Sequence, residues 1–537
     1  MPTHPRLERT IDWMLSRWVY VLTGVYLAFV LQAALVPLDF DLGGENFRPF
    51  VTGGGPFHWP DTVANIFLYV PLGVLLQWSW HRRLHVALPG AVAAVATAAA
   101  LSTVVEWVQV YSSTRVSSLV DVAANVTGAT LGAFVSLVGH WTSPRFQAYL
   151  LEESCARPRE TALRAYCFLL LVFALAPFSI MLDPPRLAQA WREASFVPFE
   201  TSAAHERLAW EAAARGDRVT CAHQRQLKMQ GWLKWSLELT SFALLAWLLH
   251  AVLVCDYGFR RGGASALCWW IGLGLAGLLS LAQWPVRLRG LDVTDILMRA
   301  TGLGVGLVTR WGFVERRQLG SLSPGASGAL ARRWLQRACL ASAAFIVVGG
   351  LIPFELDRGD DLLRRALASP LFLPGVAYFT ARFDVAMADL MLKGGGYVVF
   401  SVLFIAARPS LAGDPLERRM RCAVAVCLGI SVSIEVAQIR LIGRMPCLTD
   451  PLIALVAAAG GAALHQAIWR FVARVHTMRA AALAQMDGTA PADDPAVVHE
   501  PRRPTWTLTD ALVAGLIDEV PDAPREIAVR HGQSSRP

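Results

Sequence analysis

At 537 residues, of which 54% are hydrophobic and 17% charged, and with a mean hydropathy of +0.42, the chain is too apolar for a soluble globule and belongs in a bilayer. Its formal net charge of +8 sits in short arginine clusters between apolar windows, the distribution of cytoplasmic loops and not of a nucleic-acid face. Nine scattered cysteines form no CxxC pair and no histidine stands at ligand spacing, so neither a metal nor another cofactor is expected.

A helix crossing the hydrocarbon core needs ~20 mostly apolar residues, and twelve such windows follow one another. The first set runs over Trp18 to Val36, Thr62 to Trp78, Val86 to Val110 and Leu119 to Val138. The N-terminus has no short apolar run followed by a small-residue cleavage site, so its first window is expected to be a retained helix. A second set covers Leu163 to Leu182, broken at Pro184 and Pro185, then Trp232 to Val254 after a long mixed-charge loop, Ala264 to Trp284 and Val293 to Trp311. A third covers Trp334 to Leu351, Val385 to Ala407, Cys422 to Gln438 and Leu452 to Val472. The fold class is therefore all-α, a polytopic transmembrane helical bundle of about twelve spans in three tandem four-helix units: 1–145, 160–315 and 330–475. Residues 476–537, rich in Pro, Asp, Glu and Arg, read as a mobile cytoplasmic tail with a short helix around Leu508 to Ile517.

Each set carries the same connector between its third and fourth helices. Gln109, Arg115 and Asp121 are six residues apart, as are Gln283, Arg289 and Asp295, and Gln438, Arg444 and Asp450; a glycine follows eleven residues after each aspartate, at Gly132, Gly306 and Gly461. Glutamate stands three before the glutamine at Glu106 and Glu435, but Ser280 takes that place in the second copy. With the N-terminus inside, Arg82 and Arg83, Arg260 and Arg261, Arg316 and Arg317, and Arg418, Arg419 and Arg421 all fall on the cytoplasmic side, and the three connectors fall outside.

Glu106 and Gln109 share one helical face by i,i+3 spacing, and Asp121 and Asn125 share another by i,i+4. Asn65, near the start of the second helix, is expected at the same depth, with Arg115 between the two faces. An ionisable residue within a span costs ~2.5–3.5 kcal/mol on insertion scales, so a polar cluster at the boundary needs a partner or a purpose. The structural alternative is that the aspartates cap the fourth helices, Pro451 after Asp450 being suited to a first helical position. The pairs Gly128/Gly132 and Gly302/Gly306 are spaced for close helix packing.

Several of these residues together resemble the VanZ-like family of small membrane proteins: the run Asn46 to Phe50, then Asp61, Asn65, Pro71 and Gly73, then Glu106 and Gln109, Arg115, Asp121, Asn125 and Gly128. The likeness covers roughly residues 20 to 140. The second set departs from it at Ser280 and Arg299, and the third at Ala454. The resemblance implies a role in a bacterial cell envelope, including glycopeptide tolerance and antibiotic resistance, without supplying a reaction. The expected protein is a multi-pass protein of the bacterial inner membrane with both termini cytoplasmic. It would bind or modify a membrane lipid or lipid-linked envelope precursor, using Glu106 and Asp121 as catalytic groups and Asn65, Gln109, Arg115 and Asn125 to hold substrate. A non-catalytic scaffold among envelope-assembly or exopolysaccharide-assembly proteins is the competing expectation, and no nucleic acid is expected as partner.

Overall fold

The computed structural model describes residues 19–486 except 21–22, 25, 33, 36–58, 113–116, 177–179, 182, 287–289, 319–323, 358, 360, 382, 409–410 and 412–413. Among them there is no β-strand, only isolated bridges such as Ile180 with Val286 and Leu356 with Leu441. Two compact units separate: one holds Met1–Tyr149 with Met181–Arg186 and Val376–Ala386, and the other holds the rest.

In the first unit the described residues between 19 and 35 are helical (α1). They are followed by α2 (Trp59–Leu84), α3 (Ala87–Gln109) and α4 (Leu119–Ala156). Val30, Tyr69, Leu72, Ala94, Ala98 and Ala129 form its core. Small residues bring α2 and α4 together: a Cβ added at Gly128 would lie 2.2 Å from the Ile66 carbonyl oxygen, and one at Gly132 2.0 Å from that of Val70. With no hydrophobic drive between helices in lipid, such backbone proximity is what dispersion needs to hold them.

The second unit contains α5 (Pro158–Leu175), most of α6 (Pro184–Arg192), whose first turn is assigned to the first unit, α7 (Glu200–Ala214), α8 (Arg218–Cys255), α9 (Arg261–Gln283) and α10 (Val293–Gln318). These are followed by α11 (Pro324–Leu351), α12 (Leu362–Ala368), α14 (Phe383–Ala406) from Met387 onward, α15 (Leu416–Gln438) and α16 (Thr449–Met486); the short α13 (Val376–Thr380) and the first turn of α14 are assigned to the first unit. One core gathers Phe242, Leu245, Cys268, Ala276 and Leu303. A second gathers Tyr397, Phe400, Ala423, Cys427 and Ala458. The glycine contact recurs, with a Cβ at Gly302 or Gly306 reaching 2.2 Å from the carbonyl oxygens of Leu239 and Ala243, and one at Gly461 reaching 2.7 Å from that of Val398.

Three helices bury one matched stripe. On α3 the buried residues are Gly90, Ala94, Ala98, Ser102, Val105, Glu106 and Gln109. On α9 they are Ala264, Cys268, Gly272, Ala276, Leu279, Ser280 and Gln283, and on α15 Arg419, Ala423, Cys427, Ser431, Ile434, Glu435 and Gln438. All three rows have the same internal spacing, so each helix turns the same face inward.

Eight helices among the described residues are long and apolar enough to cross a membrane, α3, α4, α8, α9, α11, α14, α15 and α16, which makes the chain an all-helical multi-pass membrane protein. Of the twelve expected windows, the first (α1) is described only in part, and α2, α5 and α10 do not meet that measure; α5 carries Arg159, Glu160 and Arg164, and α10 carries Asp295, Arg299 and Arg310.

Several expected boundaries are corrected. α4 continues to Ala156 and α16 to Met486, so residues 476–486 are helical and not part of the tail; polar extensions of this kind lie outside any apolar window. The helix expected from Leu163 to Leu182 is α5, ending at Leu175, and Pro184 begins α6, a position where proline loses no hydrogen bond. The long loop of the second set holds α6 and α7, the latter built from strong helix formers in ETSAAHERLAWEAAA. The helix expected around Leu508 to Ile517, like the rest of the tail beyond Met486, lies outside the described residues.

Candidate functional site

The three connectors share the geometry of their two ends. Each begins with a tight turn in which the amide three residues beyond the glutamine donates to that glutamine's carbonyl: Ser112 to Gln109 at 3.0 Å, Val286 to Gln283 at 2.9 Å and Leu441 to Gln438 at 3.0 Å. Each ends on a side chain accepting the amide two residues on, at Ser118 from Val120 (3.1 Å), Asp292 from Thr294 (2.8 Å) and Cys447 from Thr449 (3.4 Å). These residues precede the fourth helix of each set. The aspartates expected as caps lie inside the first turn instead, at Asp121, Asp295 and Asp450, and their carboxylates bond to the second helix of their set. Hydroxyl, carboxylate and thiol all serve as the cap because the backbone needs only an acceptor there.

In the first copy the glutamate closes the turn. Glu106, 3% exposed, accepts the Ser118 amide at 2.9 Å. Gln109 donates to the Ala34 carbonyl of α1 at 2.7 Å. Asn65 on α2 donates to Asp121 Oδ1 at 2.9 Å. Asn125 donates from Nδ2 to Ser102 Oγ at 2.9 Å, while its Oδ1 is buried without a hydrogen-bond partner among the described residues. Tyr69 lies beside Ser102 and within electrostatic reach of Glu106. Five of the six expected site residues thus gather where α1 to α4 meet the connector; the sixth, Arg115, lies outside the described residues.

The third copy repeats the plan: Glu435 accepts the Cys447 amide at 2.5 Å and Gln438 donates to the Gly350 carbonyl at 2.8 Å. Arg444 donates to the carbonyls of Ile352 (2.8 Å) and Gly349 (3.3 Å), where α11 ends. Cations there satisfy carbonyls that the helix leaves open. Lys393 Nζ stands 2.7 Å from both Asp389 and Asp450.

The second copy changes the groups and keeps the places. Arg299 fills the Asn125 position at 1% exposure. It donates to Glu238 Oε2 (2.9 Å) and Oε1 (3.0 Å), Ser280 Oγ (2.8 Å), Gln283 Oε1 (3.0 Å) and the Ala276 carbonyl (3.1 Å), so all five guanidinium N–H groups are used. Lys234 Nζ meets Asp295 at 2.6 Å.

The glycine contacts fix the register of the second helices, placing Ile66 beside Gly128 and Leu239 beside Gly302. Glu238 and Lys393 therefore match Asn65, and Lys234 and Asp389 match Asp61. Sequence reading missed Glu238, Lys234 and Lys393 because their chemistry differs from Asn65, and missed Ser102 and Ser118 because lone serines near a helix end carry no signal of their own.

This helical, polar-ended arrangement is what the comparison with known families addresses. Residues 18–140 match the VanZ/LLP1 family model. The first unit of this membrane protein is VanZ-like, and the match takes in Asn65, Glu106, Gln109, Arg115, Asp121 and Asn125 together. No curated protein and no solved structure matches the chain. Among the described residues no group of His, Cys, Asp and Glu side chains is placed to hold a metal ion.

Proposed function

We propose that the chain is a twelve-span inner-membrane protein of bacteria, built from three copies of one four-helix unit, and that the VanZ-like first copy is the working one. The matched buried stripes of α3, α9 and α15 and the three matching connectors support the repetition. Both termini are cytoplasmic, with the arginine clusters inside and the connectors outside. There the first copy binds or modifies a lipid-linked envelope precursor, with Glu106 as acid or base, Asp121 and Asn65 as a positioned pair, Gln109 and Asn125 orienting the ligand and Arg115 near its anionic part. Glycopeptide tolerance is one outcome such a step would have.

One observation supports this reading: Asn125 Oδ1 in the first copy is a buried neutral acceptor without a partner among the described residues, at the position where Arg299 is fully bonded by the chain itself; the unpartnered oxygens of the other copies, Asp295 Oδ1 and Asp450 Oδ1, belong instead to carboxylates that are each paired with a lysine. An orphaned buried acceptor costs ~1–3 kcal/mol. The alternative is a scaffold within an envelope or exopolysaccharide assembly complex, in which the glutamates serve only to close their turns.

The test compares Glu106→Gln with Glu435→Gln. Each amide retains an oxygen that can accept Ser118 or Cys447, so both variants keep the turn contact while losing ionisation. At matched membrane abundance, Glu106→Gln is expected to fail to complement an envelope-stress or glycopeptide-sensitivity phenotype, and Glu435→Gln to complement it. Equal effects would favour the scaffold.

A further inference from the structure

The loops between α5 and α8 and between α11 and α14 are strapped to the connectors of their own copies. In the second copy the Ser195 amide donates to the Leu291 carbonyl at 2.9 Å, the Val293 amide donates to the Ser195 carbonyl at 3.0 Å, and Ile180 bridges Val286. In the third the Asp357 amide donates to the Arg440 carbonyl at 2.8 Å, the Ile442 amide to the Glu355 carbonyl at 2.9 Å and the Leu448 amide to the Phe372 carbonyl at 3.2 Å, and Leu356 bridges Leu441. The two bridges are equivalent: Val286 and Leu441 each stand three residues after the connector glutamine, and Ile180 and Leu356 three after Pro177 and Pro353. Connectors join the ends of helices, so both loops are held at the level where the apolar part of the bundle stops.

At that level the loops turn large apolar side chains outward. α12 exposes Leu363 and Leu367, one turn apart on one side of the helix, and buries Ala366; Leu356 before it and Leu373 after it are exposed as well. Beside α12, Asp361, Arg364, Arg365 and Ala368 line a hollow of about 490 Å³, so leucines and arginines divide the outer surface of one short helix. In the second copy Trp191, Phe196 and Val197 are exposed, and Trp191 lies edge-on to Trp284, the residue that ends α9, with ring centroids 5.4 Å apart. Exposed helix residues reach the same level, at Leu281 and Leu297 in the second copy and Val436 and Leu452 in the third, so the loops adjoin surface that already faces lipid.

Apolar side chains on one flank, arginines on another and tryptophan at the end of a span are the marks of a segment lying in the lipid interface. We propose that the two loops are interfacial anchors. Leu363, Leu367, Trp191 and Phe196 enter the boundary between headgroups and acyl chains, and the hollow beside α12, with two cations against the single carboxylate of Asp361, receives the phosphate of an anionic phospholipid. The anchors lie on whichever side the connectors face and do not depend on which copy is the working one.

Exposure alone does not define this surface. Trp210 on α7 is 70% exposed, but α7 packs through Ala209 and Ala212 on Cys221. Cys221 precedes by thirteen residues the Lys234 that meets Asp295, which is roughly 20 Å along α8 beyond the polar end of the bundle. Trp210 therefore belongs in water.

Hydroxyl-radical footprinting of the native full chain, one copy per nanodisc of mixed phosphatidylglycerol and phosphatidylcholine, tests this placement without any substitution. Trp210 is expected to be oxidised, and Trp191, Phe196, Leu363 and Leu367 to be spared despite their exposure. Oxidation of either loop in proportion to its exposure overturns the proposal. Sparing of Trp210 along with the loops also overturns it, since lipid does not reach that far. The headgroup is read by a bimane label on Leu367→Cys in a cysteine-free background. Brominated phosphatidylglycerol is expected to quench it at about fivefold lower lipid fraction than brominated phosphatidylcholine, the size of one net charge near the surface. Arg364→Gln, which cancels that net charge, is expected to make the two lipids equal. Equal quenching in the parent, or a preference that survives Arg364→Gln, overturns the assignment of the phosphate to the hollow.

Discussion

Arg299 and Glu238 face each other from α10 and α8 through two hydrogen bonds of 2.9 and 3.0 Å, with Arg299 almost fully buried. The bidentate geometry and the three further acceptors around the guanidinium offset the cost of taking its charge out of water. A pair of this kind is far more sensitive to loss of one member than to loss of both. Arg299→Met is expected to destabilise the protein by about 3–5 kcal/mol, because Glu238 is left with an uncompensated charge. The double variant Glu238→Leu/Arg299→Met is expected to recover most of that loss. Thermal unfolding of the detergent-solubilised protein reads both, and equal melting of the single and double variants would contradict the account.

The glycine contacts make a second, sharper claim. At Gly132 an added methyl lies 2.0 Å from the Val70 carbonyl oxygen, which is backbone and cannot rotate away, whereas at Gly139 on the same helix nothing lies within 4 Å. Overpacking of a closed contact costs ~1–3 kcal/mol or more. Gly132→Ala and Gly306→Ala are expected to lower the melting temperature clearly, and Gly139→Ala to leave it unchanged or raise it slightly, since alanine favours helix. An indifferent Gly132→Ala would mean that α2 and α4 do not approach as closely as described.

Much of this was legible in the sequence, and the parts that were not have physical reasons. Apolar windows locate helices where lipid demands them, so α3, α9 and α15 fall close to expectation. The same windows are blind to polar helix, which is why Arg218–Trp232 of α8 and the far ends of α4 and α16 were not anticipated. Regular spacing exposed the connectors, because a turn of fixed geometry fixes residue intervals. It could not expose the cap at Ser118, Asp292 and Cys447, where three different side chains satisfy one amide. Nor could it expose Lys234, Glu238 and Arg299, a set whose charges were exchanged together so that position persists while residue type does not.

Asp217 gives a pH prediction outside the apolar windows. Its carboxylate caps α8 by accepting the Thr220 amide at 3.0 Å, and hydrogen bonding from the Thr220 side chain and then its backbone holds the carboxyl below the ordinary aspartate range. A depressed value in the folded state means stabilisation that is fully present above the unfolded pKa of about 3.9 and is lost as pH falls through the folded value. Amide exchange at the first turn of α8, corrected for intrinsic rate, is expected to lose protection across that acid window. Asp217→Asn, which accepts a hydrogen bond at any pH, is expected to flatten the dependence, and Asp217→Ala to remove the protection throughout. A first turn equally protected in Asp217→Ala would rule out the cap.

The last prediction decides between eight crossings and twelve. Between the connectors at positions 115 and 289 lie α4, α5, α8 and α9, and between those at 289 and 444 lie α10, α11, α14 and α15. If all of them cross, four spans separate successive connectors and the three share one side. If only the eight strongly apolar helices cross, α5 and α10 drop out, three spans remain in each interval, and the middle connector changes sides. We expect the former, because the buried polar groups of α10, Asp295 and Arg299, are each bonded to α8 and do not face lipid. Single cysteines introduced by Arg115→Cys, Gly290→Cys and Arg444→Cys in a cysteine-free background should all react with an impermeant thiol reagent on intact cells, and Arg82→Cys should not. Labelling at 115 and 444 without 290 would establish the eight-span topology. Labelling at 82 with none at 115 would invert the orientation and move the candidate site to the cytoplasmic face.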